Sequence, residues 1–494
     1  MTKSTSSRTG GRARLPRAGM GAFSSFAASF AGLSVLTGLF QVWFIGYAFA
    51  GPAFIWFWPI VFAGQLAVAL VFAEMAARFP FAGAAYQWAR KLGGHARGWM
   101  TGWLYLLAQL LTLPAAVVAM QLTLPVLWPG FNFSDDFAKN SVILGLGTLV
   151  LVTLINVAGV RLMAIVNNIG VAAEIGGALF LIIALAVHVH RGPATLVETN
   201  GTGSTHAWGF LGAVLVSGFM ALYNMYAFDT AATLSEETDN PSHVAPRAVL
   251  RSLVTAGTIG FLILVLSLLA IPDLRADELG TVGLPYIIST VLGPDLGKLM
   301  LISVTIAIFV CSLAIQAWTA RTVFAMGRDG ELPGGAWLGR VNDRGVPVNA
   351  TITTGVIGLV ILGINLNNSK AFNVLVALGI VFIYLAYLSV TLIGLKRRRA
   401  GWPEDAGDTG LFTLRAPWGK ALNVIAVLYG GLMLVNLAWP RAEFYGTAWY
   451  QQYAVVIFVP LLALAGWLYY VVSQREDANI RATTAPPTTV EQTG

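Results

Sequence analysis

Trp208 to Leu234 reads WGFLGAVLVSGFMALYNMYAFDTAATL, an apolar run long enough to cross a bilayer that nevertheless carries an acid, Asp229. An acid at the bilayer centre costs roughly 2.5–3.5 kcal/mol even on the lenient insertion scale. It persists where it faces a cavity, a partner or a cargo rather than lipid. Directly downstream, SEETDNP (Ser235 to Pro241) is a charged segment that must leave the membrane. An interrupted, acid-bearing helix followed by an acidic exit loop points to a transport site.

The composition agrees. Of 494 residues, 56% are hydrophobic and 11% charged, with a mean hydropathy of +0.72. Soluble domains have about 45–50% apolar and about 25% charged residues, so this is a membrane protein. A spanning helix needs about 20 apolar residues. Twelve segments qualify, near 23–51, 53–77, 98–127, 142–160, 162–189, 207–235, 247–271, 285–327, 348–365, 371–395, 418–439 and 450–474. Cys311 is the single cysteine and lies inside a span, so no disulfide framework exists.

Lys and Arg set the orientation. With a cytoplasmic N-terminus and alternating spans, twenty-four of them fall inside and six outside, at Lys139, Arg191, Arg275, Lys298, Lys370 and Arg441. Both termini are therefore expected in the cytoplasm, with the chain in the cytoplasmic membrane of the cell. The formal charge of +7 sits on inner loops such as KRRR, Lys396 to Arg399. It requires no nucleic acid, and the lipid bilayer is the partner it implies. Residues 1–22 hold four arginines and no apolar core, so they read as a disordered tail, not a signal peptide; residues 475–494 read likewise.

Two spans are polar and glycine-interrupted: Ser29 to Phe40 (SFAGLSVLTGLF) in span 1 and Ser217 to Asp229 in span 6. Each opens one of two possible five-helix halves, 23–189 and 207–395, leaving spans 11–12 at 418–474. Matched, interrupted spans mark a midplane site in inverted-repeat transporters. Small residues such as Gly32, Ser34 and Gly38 equally suit close helix packing.

Four motifs in order carry a resemblance. They are FSSFAASFAGLSVLTG in span 1, AEMAARFPFAGAAYQWARKLGG (Ala73 to Gly94), SEETDNPSHVAPRAV (Ser235 to Val249) and TARTVFAMGRDGELP (Thr319 to Pro333). The chain resembles the amino acid–polyamine–organocation (APC) superfamily of permeases, and most closely its amino acid/choline branch, from about Phe23 to the end of span 12. The resemblance implies an all-α LeuT-type fold: twelve spans in a 5+5 inverted repeat, discontinuous helices 1 and 6, and spans 11–12 outside the core. It also implies alternating access around a site formed by spans 1, 3, 6 and 8.

In that family the substrate carboxylate meets free N–H groups in a glycine-rich span 1 break, where donors and a positive dipole end attract an anion. Here the stretch is Ser34-Val35-Leu36-Thr37-Gly38, with one glycine and two hydroxyls. Ser34 and Thr37 supply side-chain donors, or bond back to their own helix, while Val35 and Leu36 encumber the backbone. Span 6 offers Tyr223, Asn224, Tyr226, Ala227, Phe228 and Asp229, with Ala227 where the family commonly has glycine. The aromatics wall a site, stack on a cation or pack in the core. Asp229 is expected to be paired, protonated or occupied, as counter-ion to an ammonium group or as a proton carrier. Glu174 in span 5 is the only other acid deep in a span, near where proton-coupled members often carry lysine and sodium-coupled relatives bind their ion. It is expected to couple transport to protons, with sodium the other choice, or else to make a structural hydrogen bond to Asn167, Asn168 or a neighbouring helix. Gln109, Cys311, Ser312 and Gln316 should border the cavity or bridge helices. Glu74 and Arg78 suit an i,i+4 pair that Glu236, Glu237, Arg321 and Arg328 extend into a cytoplasmic gate, if these are not merely solvated loop charges.

Neither cofactor nor metal is implied. His188 and His190 have no carboxylate cluster beside them, and the chain has no HExxH, GxSxG or Walker sequence. The reading is a secondary transporter of amino acids or related small amines, not an enzyme, by proton-coupled symport or exchange. The alternatives are a transporter for a cationic amine lacking a carboxylate, such as choline or a polyamine, and a non-transporting membrane nutrient sensor.

Overall fold

The computed structural model describes residues 19–204, 206, 208–364, 371–403 and 410–474. The expected tails, 1–22 and 475–494, lie outside these residues except for 19–22. The architecture is all-helical. In chain order it runs α1 (Ala22–Leu33), α2 (Val35–Ala50), α3 (Phe57–Arg78), α4 (Ala84–Gly93), α5 (His95–Val117), α6 (Phe137–Ala158), α7 (Val160–Val187) and α8 (Gly209–Asn224). After these come α9 (Thr230–Thr233), α10 (Pro241–Ala270), α11 (Leu284–Arg328), α12 (Val348–Ile364), α13 (Ala371–Arg399), α14 (Trp418–Ala438) and α15 (Ala454–Tyr469).

Among the described residues, nine helical runs are long and apolar enough to cross a membrane, or ten if the bent pair Pro193–Ser204 and Gly209–Asn224 is one span. The first run, Ala22–Arg78, has 57 residues. Straight, it would extend about 86 Å, nearly three hydrocarbon thicknesses. It is interrupted at Ser34 and again at Gly51, where a left-handed glycine starts a 3-10 turn to Trp56.

Burial is distributed as a bilayer demands. Large side chains such as Leu154, Ile169, Ile183, Leu432 and Leu464 are exposed on α6, α7, α14 and α15. In water that surface would be an aggregation hazard, whereas lipid tails are as apolar as leucine. The interior holds the polar groups. The two interrupted segments lie at its centre: α1 packs on α10 and α7, and α2 on α8. Around them α5 packs against α13 and α11.

Close approaches fix these neighbours. A methyl group on Gly260 of α10 would overlap the Trp58 ring of α3 and the Val35 side chain at the start of α2. The Trp58 indole also donates to Gly257 O at 2.9 Å. Gly260→Val should lower stability by about 1–3 kcal/mol, the usual cost of overpacking, read as a fall in thermal midpoint of purified protein. Gly431→Ala, where an added Cβ meets nothing within 4 Å, should leave the midpoint in place; equal shifts in both variants would reject this packing account.

Candidate functional site

The first interruption falls at Ser34 and not at Gly38. Ser34 adopts a left-handed conformation (φ 35°, ψ 79°), closing α1 through its N–H to Phe30 O at 2.7 Å and leaving α2 to restart at Val35. Gly38 is helical, donating to Ser34 O at 3.0 Å. What holds the kink is Glu174, from α7. Its Oε1 accepts from Ser34 Oγ at 2.9 Å and from the Leu36 N–H at 3.4 Å. Because the Ser34 proton is committed there, Thr37 must donate to Ser34 Oγ at 2.6 Å. Glu174 is fully buried, and its Oε2 has no hydrogen-bond partner among the described residues. Of the structural bonds the sequence allowed, the one formed runs to a neighbouring helix and not to Asn167 or Asn168; Asn168 donates to Ser24 Oγ at 2.9 Å. The donors freed at the head of α2 thus meet a carboxylate from the protein itself.

The second interruption spans Met225 to Asp229, with Ala227 left-handed at φ 69°. Ala227 therefore does what glycine would do there, at some conformational cost. Side chains stitch the gap. Ser29 on α1 donates to Phe228 O at 2.6 Å and accepts from the Ala231 N–H at 2.9 Å. The Ala227 N–H donates to the Tyr387 hydroxyl at 3.1 Å, which donates onward to Asp229 Oδ1 at 2.5 Å. The other carboxylate oxygen accepts from the Tyr105 hydroxyl, itself an acceptor from the Trp318 indole at 2.6 Å. Asp229 is fully buried and bound by two tyrosines, which tie α9 to α5 and α13.

Between the interruptions lie Thr37, Gln41, Thr112, Tyr226 and Cys311, each keeping 3–5% exposure while Gln109, Glu174 and Asp229 have none. Tyr226 donates to Thr112 Oγ1 at 3.3 Å, because Thr112 gives its own proton to Ala108 O. Tyr223 donates to Gln41 Oε1 at 2.8 Å, and its ring meets that of Tyr226 edge-on at 5.9 Å. Asn224 turns its Oδ1 against Gly38, where a methyl group would overlap the amide. Three expected residues have other partners. Phe228 packs with Phe72 and Tyr387. Ser312 bonds back to Ile308 O at 2.8 Å. Gln316 is shared between Asn156 and Thr153 on α6.

Two interrupted helices enclosing a small polar centre in an otherwise apolar bundle are what a permease needs, and the comparison with known proteins agrees. Residues 20–482 match the amino acid permease family. The chain belongs to that family. It is 24% identical to the amino-acid permease BAT1 of Arabidopsis thaliana over 90% of each chain. It is 28% identical to the branched-chain amino acid permease BcaP of Lactococcus lactis, covering 79% of this chain and 86% of that one. A putative amino acid/polyamine transporter of Macrophomina phaseolina is 26% identical over 79% of this chain and 88% of its own. The permease is a multi-pass membrane transporter and not an enzyme.

At the end of the permease where the basic loops cluster, ion pairs lock α11 to the segment after α9. Arg321 grips Glu237 at 3.0 and 3.2 Å, with both side chains about 1% exposed. Burial raises the Glu237 carboxyl above its ordinary range, and the Arg321 charge opposes that rise. Arg328 holds Glu236 at 3.0 Å, and Glu236 also accepts from the Ala82 N–H at 3.1 Å. The backbone of Met20 bridges the same segment, donating to Glu237 O at 3.2 Å and accepting from the Asp239 N–H at 3.0 Å. Four of the six expected gate residues are therefore brought together. Glu74 and Arg78 form a separate group, and their expected mutual pair is replaced. Glu74 is bound by Arg398 and by the Leu414 N–H at 2.9 Å, while Arg78 donates to Thr413 Oγ1 at 3.1 Å.

Removing one partner of a buried ion pair leaves an uncompensated charge, at a cost of about 3–5 kcal/mol. Arg321→Ala should therefore lower the thermal midpoint sharply, whereas Arg340→Ala on the exposed surface should change stability by about 0.5 kcal/mol or less. A midpoint for Arg321→Ala matching the parent would contradict this reading of the pair.

Proposed function

We propose that this permease is a secondary active transporter that moves amino acids across the cytoplasmic membrane by alternating access, coupled to protons. The observation that carries the reading is the Glu174 carboxylate set on the Ser34 interruption with Oε2 unpartnered. The family implies a LeuT-type core, with repeats 23–189 and 207–395. Twelve spans follow if Ala22–Arg78 makes two crossings, the bent pair one, and the 17-residue α12 one. Both termini then lie in the cytoplasm, and the Arg321–Glu237 and Arg328–Glu236 pairs act as the inner gate.

Coupling follows from competition for one set of donors. While Glu174 is ionised, its oxygen occupies Ser34 and the head of α2. A proton neutralises it and frees those donors for a substrate carboxylate, so cargo and proton load together. Gln41, Gln109, Thr112, Tyr223, Tyr226 and Cys311 surround the rest of the solute. The work is differential binding to outward- and inward-facing states. The relatives' names, amino-acid permease and branched-chain amino acid permease, support an amino acid cargo. One observation favours a cationic amine instead: Glu174 already fills the place a carboxylate would take. Against it, both Asp229 oxygens are engaged by tyrosines, which leaves that acid poorly placed as an ammonium counter-ion.

A ligand that binds only the folded state raises its unfolding midpoint. Purified permease screened against amino acids, decarboxylated amines, choline and polyamines should be stabilised by amino acids. Stabilisation by amines alone would transfer the function to the cationic-amine reading, and binding without any flux in proteoliposomes would leave a sensor. Glu174→Gln, which keeps an acceptor but cannot ionise, should retain amino acid exchange yet lose accumulation driven by an inward proton gradient. Undiminished gradient-driven uptake in that variant would remove Glu174 from coupling.

A further inference from the structure

The inner ion pairs have a small apolar core of their own, separate from the main one. It joins Ala82 and Tyr86 at the start of α4, Trp99 of α5, Phe324 and Met326 of α11, and Tyr470, just past the last helix. That helix is tied down strongly. The Trp99 indole donates to Gly466 O at 3.0 Å and the Trp103 indole to Leu462 O at 2.9 Å. Beyond Tyr469 the chain widens into a π-helical turn, Tyr470–Gln474. There the Gln474 amide, 4% exposed, donates to Gly330 O at 3.1 Å and to Glu331 O at 3.2 Å.

The turn that Gln474 holds is the hub of a second set of charges. Glu331 accepts from His95 at 2.9 Å and pairs with Arg90 at 3.3 Å, and the His95 ring lies 5.4 Å from that of Tyr470. Asp329 is bound by Arg90, by the Tyr86 hydroxyl at 2.9 Å and by Gln87 at 3.0 Å. Arg328, which pairs with Glu236, is the next residue back. A path of direct contacts therefore runs from Gln474 through Gly330–Glu331 and Asp329 to Arg328 and the Glu236–Glu237 segment.

We infer that the end of the last helix, Tyr470 with Gln474, is a working part of the inner gate: it positions the Gly330–Glu331 turn, and losing its grip opens the basic end of the permease. This gives a role in gating to a helix that lies outside the repeats. The inference rests on the alternating-access reading only in that this end opens. Gln474 and Tyr470 are positioning residues, touching the gate and not the solute.

The test is hydrogen–deuterium exchange on the full-length permease in lipid nanodiscs, without substrate or gradient. Gln474→Ala should speed exchange about fivefold, the factor carried by one net hydrogen bond. The rise should reach amides of Ser235–Asp239 and of Thr322–Arg328, which Gln474 does not touch. Tyr470→Leu, which keeps apolar bulk but removes the ring facing His95, should do the same. Gln474→Lys, which keeps an N–H donor, should stay near the parent rate. Faster exchange confined to residues 330–331 and 470–474, or no change, would overturn the inference and reduce the contact to local packing. Neither result depends on what the permease carries, so failure here is distinguishable from failure of the transport reading.

Discussion

Backbone that leaves the helix inside hydrocarbon has no water to satisfy its N–H and C=O groups, so it survives only where protein does that work. Both interruptions in this permease meet the requirement with side chains from distant helices. At Ser34 the donors are met by Glu174, 140 residues away in sequence. At Ala227 the free N–H meets Tyr387, and Ser29 closes the Phe228 carbonyl and the Ala231 N–H. These bonds also fix the arrangement of the bundle, because Glu174 and Tyr387 each join an interrupted helix to a continuous one and Ser29 joins the two interrupted helices to each other. The polar centre is where it is because the broken backbone must be served there.

This explains how far the sequence could be read. The apolar runs, the polar interruptions in the first and sixth segments and the isolated acids are local features, legible without any tertiary contact. Glu174 and Asp229 were identifiable because an acid among apolar residues is conspicuous by itself. Their partners were not. Tyr105, Tyr387 and Trp318 are large and aromatic, like many helix residues that merely pack, and only the tertiary arrangement turns the two hydroxyls to Asp229 and the indole to Tyr105. Ser29 is equally anonymous. The position of the first kink was blurred for a related reason: Gly38 has the residue type of a break, but Ser34 has the partner. Gln316 takes the other course the sequence left open, spending both amide groups as a bridge to a neighbouring helix.

The ion pairs at the basic end obey different constraints from the acids at the centre. Arg321 and Glu237 are nearly inaccessible, and desolvating both charges consumes much of their attraction. Such a pair adds little net stability over an apolar replacement, yet it is costly to separate. That combination suits a latch, which must resist partial opening without making the closed state overwhelmingly stable. Glu74 with Arg398 and Leu414 does the same for a loop, holding the stretch before α14 against the end of α3. Charges that looked like ordinary loop solvation in the sequence are, in the fold, among its most buried polar contacts.

The choice of partner for Asp229 separates the centre from the latch most clearly. An arginine there would fix the carboxylate as an anion, because guanidinium has only donors and keeps its proton. A tyrosine hydroxyl has one proton and two lone pairs. Tyr387 already accepts from Ala227 while donating to Asp229, and Tyr105 accepts from Trp318 while doing the same. If Asp229 gained a proton, its own hydroxyl would become a donor and one tyrosine would turn to accept from it, with the heavy atoms left in place. Hydroxyl partners thus hold the second interruption without prescribing its charge, whereas the arginines at the basic end prescribe it. On the proposed reading, that puts permanent pairs at the inner gate and adaptable ones at the centre where cargo and charge would come and go.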